Sequence, residues 1–204
     1  MSTLAEVRNS VLDELYRTGD MTAQAETAIM DAVRYYERFP FWFNEERATS
    51  NTVDGQEYYA LPQDFQDVYR VSVTVSSNKY LLIRRTAREM EALYISAANY
   101  RGYPQDYSIE RNELRLGPVP NGAYTLEMFY RKAAETTTAT SQTNIFLTNA
   151  EWLIRKRSAA ELCLSILQDA ERAAHFKAME QDELISLRSE SARRTMRGHG
   201  YRRS

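Results

Sequence analysis

Few side chains in this 204-residue chain suit bond-making chemistry, and their spacing argues against it. Two histidines, His175 and His199, lie far apart, and Cys163 is the single cysteine. A zinc site needs ligand pairs such as CxxC or HxxxH, and no such pair is present. A lone cysteine in a helical stretch is ordinarily a small core residue rather than a nucleophile. The seven glycines are scattered singly, so no glycine-rich loop offers a phosphate cradle. Glu45, Glu46, Asp54 and Glu57 cluster around an expected β turn, and paired carboxylates can hydrolyse glycosidic bonds. A hydrolase of the wall-degrading kind would need Glu45 or Glu57, but acids flanking a turn are far more often simply solvated. The residues point away from an enzyme, with no metal and no cofactor expected.

Two segments carry binding chemistry instead. Residues 191–204 hold Arg193, Arg194, Arg197, Arg202 and Arg203 with no acid, a local +5; the formal net charge of −2 leaves −7 on residues 1–190. A basic tail on an acidic body fits a partner that presents negative charge. Arginine forms bidentate contacts with carboxylates or phosphates, Gly198 and Gly200 let the backbone bend, and Tyr201 adds area to bury. The bland role of such a tail is a solubilising end. A nucleic-acid-binding protein using this tail is the alternative reading, although a dedicated binder would carry basic charge across its folded face too. The second segment is aromatic: Tyr35-Tyr36, then Phe39-Pro40-Phe41-Trp42-Phe43. Its commoner role is core where a helix meets a sheet. Its functional role is a subunit interface, for which Tyr35, Phe41, Trp42, Phe43 and Trp152 are the candidates.

The elements that position these residues read as helix–helix, β insertion, helix. Leu4, Val7, Val11 (or Leu12) and Leu15 recur at helical spacing, with Thr3 and Glu6 as a capping box. A second helix over about 23–38 carries Ala25, Ala28, Ile29, Ala32, Val33 and Tyr36 on one side, and Pro40 stops it. Residues 41–53 read as β-prone, Asp54-Gly55 as a turn, and 57–61 as a strand. Pro62–Phe65 suggests a helical turn, and alternation predicts strands at 68–75, 80–83, 107–109, 113–116 and 124–130, with a short helix at 87–98 capped by Thr86. Residues 133–144 lack apolar side chains larger than alanine and read as a flexible polar arm. Thr148-Asn149 reads as the cap of one long helix from 150 to about 188. Its buried stripe runs Trp152, Lys156, Ala159, Ala160, Cys163, Ile166, Leu167 and Ala170. The expected class is α+β: a helical bundle from 1–40 and 148–190, an inserted antiparallel β domain with a short helix at 41–132, a flexible loop at 133–147, and a basic C-terminal arm at 191–204.

Composition agrees with a globular protein, at 43% apolar and 26% charged residues. No run approaches the ~18 apolar residues of a membrane helix. The acid early in the N-terminus and the lack of an apolar stretch there argue against a signal peptide, and the single cysteine fits a reducing compartment.

The order of segments resembles the head-to-tail adaptor (connector) proteins of tailed bacteriophages. The resemblance rests on R-F-P-F-W-F-N-E (38–45), D-G-Q-E-Y-Y-A-L-P-Q-D-F (54–65), residues 103–130 from Y-P-Q-D-Y through G-P-V-P-N-G to E-M-F-Y, L-T-N-A (147–150), and Gln168 to Arg172. It spans about 3–190. It implies a ring, commonly of twelve subunits, beneath the portal protein. Such a ring extends the DNA channel, encloses passing duplex DNA without reading its sequence, and offers a platform to the next tail component, a nozzle or stopper. It also implies that the bundle makes the ring and that about 185–204, with Arg193, Arg194, Arg197, Tyr201, Arg202 and Arg203, reaches the portal. The expected location is the neck of the virion, after assembly in the host cytoplasm.

Overall fold

The computed structural model describes residues 2–17, 21–94, 100–137 and 139–198, the last four of these as backbone only. Among them the helices are α1 (Leu4–Glu14), α2 (Thr22–Tyr36), α3 (Ala87–Tyr94), α4 (Ile145–Asn149), α5 (Glu151–Ser165) and α6 (Ala170–Gly198). The strands are β1 (Glu45–Asn51), β2 (Tyr58–Ala60), β3 (Phe65–Val75), β4 (Asn78–Leu81), β5 (Ile83–Arg84), β6 (Arg101–Gly102), β7 (Asp106–Glu110), β8 (Glu113–Gly117), β9 (Val119–Pro120) and β10 (Thr125–Lys132). The class is α+β. A helical unit comprises residues 1–44 and 133–204, and a β unit, 45–132, is inserted between them.

In the helical unit α1 begins with the expected reciprocal cap: the Glu6 N–H donates to Thr3 Oγ1 at 3.3 Å, and the Thr3 N–H donates to Glu6 Oε2 at 2.8 Å. Its stripe of Leu4, Val7, Val11, Leu12 and Leu15 is buried. Ala25, Ala28 and Ala32 of α2 and Ala159 and Ala160 of α5 are buried, and small side chains of this kind let two helices approach closely.

The long C-terminal helix is three helices. The caps are Asn144, not Asn149, and then an abrupt corner at 166–169. Asn144 Oδ1 accepts from the N–H groups of Phe146 (3.0 Å) and Leu147 (2.9 Å), which plants both side chains fully in the core. At the corner the N–H groups of Leu167 and Asp169 turn back to the carbonyls of Leu162 and Cys163, and Gln168 takes a left-handed φ of 53°. Asp169 Oδ1 then accepts from the Arg172 N–H at 2.9 Å and starts α6. Three members of the expected buried stripe are exposed: Trp152 at 49%, Ile166 at 43%, and Ala170. Asn144 is itself buried and donates to Thr137 Oγ1 at 3.0 Å. Asn144→Ala is therefore expected to lower stability by about 1–2 kcal/mol, read from the urea midpoint, while Asn149→Ala costs less than half as much.

The threonine-rich segment is hydrogen-bonded to the start of α1 rather than standing free. The Leu4 and Ala5 N–H groups donate to the Gln142 and Thr140 carbonyls, both at 2.9 Å, and Thr143 Oγ1 donates to the Ser2 carbonyl at 2.7 Å. The first four N–H groups of a helix lack intrahelical partners, and this segment supplies two of them. Residues 41–44 are also not strand. Asn44 Oδ1 accepts from the Phe41 N–H (3.0 Å), its Nδ2 donates to the Phe39 carbonyl (2.9 Å), and residues Trp42–Asn44 close into a 3₁₀ turn.

The β unit has two four-stranded sheets, β1-β10-β3-β4 and β2-β8-β7-β5, with a separate β6-β9 pair. All pairings are antiparallel except the short parallel β5–β7 and β6–β9 contacts. Leu126, Met128 and Tyr130 alternate inward from β10 as expected and meet Val71 and Val73 of β3. The chain passes between sheets at Leu82, whose N–H bonds the Val71 carbonyl of the first sheet, while the Ile83 N–H bonds Gln105. Arg111 and Asn112 turn β7 into β8 with φ of 51° and 66°, both left-handed. Gly117 is required by close approach: a Cβ there would lie 2.4 Å from the Tyr94 ring. Residues 62–65 make only a tight turn, the Phe65 N–H to the Pro62 carbonyl at 3.1 Å.

Candidate docking surfaces

The basic segment is helical where it is described, since α6 continues to Gly198. Arg193 and Arg194 are exposed on it. The side chain of Arg197, and all of Tyr201, Arg202 and Arg203, lie outside the described residues. The helix end is fastened by the aromatic turn. The Trp42 N–H donates to Ser191 Oγ at 3.2 Å, and Leu187 and Ser191 are buried. The Arg194 guanidinium lies 3.6 Å from the Trp42 ring centroid and pairs with Glu190. Arg188 lies over Phe39 at 4.9 Å. The Trp42 indole N–H is buried with no hydrogen-bond partner among the described residues.

The five interface candidates separate by burial. Phe41 and Phe43 are 1% and 5% exposed and stack at 5.2 Å, with Phe146 edge-on at 6.2 and 5.2 Å. They belong to the core of the helical unit and have no surface to offer a neighbour. Trp42 is half-buried, whereas Tyr35 and Trp152 are exposed. Arg157 covers Tyr35 at 3.5 Å and donates to Glu180 at 2.9 Å. The Tyr36 hydroxyl also donates to Glu180. Burial, reinforced by this carboxylate, holds the Tyr36 hydroxyl far above its ordinary value of 10.

Trp152 stands on an ion-pair network in which Arg155 pairs with Glu151 at 3.4 Å. Lys156 Nζ sits 3.7 Å and Arg155 5.2 Å from its ring centroid. Glu14 accepts from both, from Lys156 at 2.9 Å, and the Arg172 guanidinium donates to the Glu14 carbonyl at 3.1 Å. Arg172 in turn lies 5.7 Å from the ring of Tyr16, which is 89% exposed. Glu14, Arg157 and Glu180 received no role from the sequence. Only their helical register beside Lys156 and Tyr36 could have marked them.

The residues considered for catalysis do not converge. Glu46 pairs with Lys132 (3.1 Å), Asp54 with Arg101 (3.3 Å) and Glu57 with Arg115 (2.6 Å). The Arg47 N–H, then Lys132, hold the Glu46 carboxyl below its usual range, the reverse of what a general acid needs. Burial pushes the Cys163 thiol up. Among the described residues no three His, Cys, Asp or Glu side chains gather where a metal could bind, and no helix is long and apolar enough to cross a membrane.

The described surface of the helical unit thus offers cationic and aromatic side chains and no gathered catalytic or metal-binding set. The family model described as SU10 adaptor protein matches residues 2–203. The chain belongs to that family, one of phage head-to-tail adaptors. No curated protein matches it.

Proposed function

We propose that this protein is the structural head-to-tail adaptor of a tailed phage, twelve copies forming a ring below the portal protein. The ring extends the DNA channel and carries the docking platform for the next tail component, at the neck of a virion assembled in the host cytoplasm. The family match over nearly the whole chain carries this reading. Charge distribution supports it. Of the −7 on residues 1–190, the β unit holds only −1 and the helical unit −6. An acidic helical wall repels phosphate and leaves duplex DNA free to slide without sequence-specific contacts.

Portal attachment belongs to the basic end of α6 and the residues after it. Because Ser191 and Arg194 are engaged by Trp42, the informative truncation removes 195–204 rather than 191–204. The shortened protein is expected to melt as the full chain does and to lose attachment to portal-bearing capsids. Attachment at full affinity would refute the assignment. Duplex binding that is lost with the tail and falls steeply with salt would assign the tail to nucleic acid instead.

A further inference from the structure

We infer that copies of this chain join head to tail through two opposite faces of the helical unit: the Trp152 knob on one copy and the α2–α5 groove on the next. The inference rests on the ring reading above and names the surfaces that make the ring.

The knob is Trp152, 49% exposed on the first turn of α5, and Tyr16, 89% exposed, is joined to it through Arg172 and Glu14. Arg155, Lys156 and Arg172 underlie the two rings, with the Glu14 carboxylate and carbonyl as their shared partner. An exposed tryptophan and tyrosine set on arginines have the composition of a binding hot spot. Arg155 also pairs with Glu151 at 3.4 Å, so these three cations face two carboxylates and a net charge of about +1 is left to favour an acidic counterpart.

The groove lies between the start of α2 and the end of α5, is open to solvent, and has a volume of about 420 Å³. Its buried lining is apolar, with Ala28 and Leu162, while the exposed Ile166, Asp31 and Glu161 border it and Asp31 pairs with Arg34 at 3.2 Å. Glu161 makes no ion pair among the described residues. The groove thus offers room for an indole and carboxylates for the cations that surround it.

Placement on α5 makes the two features a heterologous pair. Glu161 follows Trp152 by nine residues, about 180° around a helix that turns ~100° per residue. Trp152 and Glu161 therefore point opposite ways on one helix, and the groove meets α5 on the Glu161 side through Glu161 and Ser165. Complementary patches on opposite faces cannot satisfy each other within a two-fold dimer; they repeat head to tail, and such a repeat makes a ring when the rotation between copies closes.

The test measures copies per portal by mass for the full chain mixed with portal-bearing capsids. Trp152→Ala and Glu161→Arg each change an exposed side chain, so melting should be unchanged. Each is expected to weaken subunit association about thirtyfold. An equal mixture of the two variants retains one intact junction per pair and should stop at dimers. If Trp152→Ala lowers melting, Glu161→Arg carries the test alone. Complete rings from both variants would overturn the surfaces and leave the ring standing. A wild-type chain that binds the portal only as separate copies would overturn the ring and the inference together.

Discussion

Phe41→Ala is expected to destabilise the helical unit by about 3–5 kcal/mol, read from the midpoint and slope of urea unfolding. The ring is 1% exposed and touches Phe39, Tyr36, Phe43 and Phe146, with centroids between 5.2 and 6.5 Å. Truncation leaves a void that the surroundings cannot close. The backbone is pinned by the Phe41 N–H to Asn44 bond, and Phe146 is fixed by the Asn144 cap. Trp152→Ala makes the contrast within one experiment. That side chain is half in solvent, so its loss should stay within about 0.5 kcal/mol. A small effect at Phe41 together with weakened assembly would return it to the interface.

Glu180→Ala is expected to lower stability by about 3 kcal/mol. The carboxylate is 8% exposed and receives the Tyr36 hydroxyl and the Arg157 guanidinium. Removing it leaves a buried hydroxyl and a largely covered cation without their acceptor, and breaking such a pair from one side is costly. The figure is at the low end because the Arg157 side chain keeps 30% exposure and some water. Glu180→Gln keeps one acceptor and should lose about half as much. Alkali provides an independent check. An unfolded chain ionises Tyr36 near 10, whereas the folded protein resists until well above that value. The contribution is complete below pH 10 and is lost as pH rises beyond it. Tyr36→Phe should flatten this alkaline slope; an unchanged slope would mean the hydroxyl is not buried against Glu180.

The helices and strands could be anticipated where a single period dominates. Leu4 to Leu15, and Tyr124 to Tyr130, bury the face that their spacing dictates. The corner at 166–169 was not legible, because neither proline nor glycine marks it. Gln168 adopts a left-handed angle that only tertiary packing enforces. Asn144 and Asn149 have equal local claims to be a cap, and what separates them is that Asn144 sends Phe146 and Leu147 inward. Composition alone could not split Phe41 and Phe43 from Tyr35 and Trp152, since interfaces and cores favour the same rings. The groove between α2 and α5 was hidden for a simpler reason: its walls come from helices more than a hundred residues apart in sequence.

The corner before α6 has a mechanical consequence. A 29-residue helix is about 43 Å long, so it works as a lever whose fulcrum is the turn at Gln168. A tilt of only 10° at that turn would sweep the arginine-bearing tip through roughly 7 Å, enough to misaim it at any partner. Trp42 grips the helix at Ser191 and Arg194, seven and four residues before its end. Angular slack at the fulcrum is thereby removed at the far end, where correction is most effective. The aim of the basic tip is set by packing along the helix, from Ala173 and Phe176 through Glu180 and Leu187 to the Trp42 contacts, rather than by the stiffness of the turn.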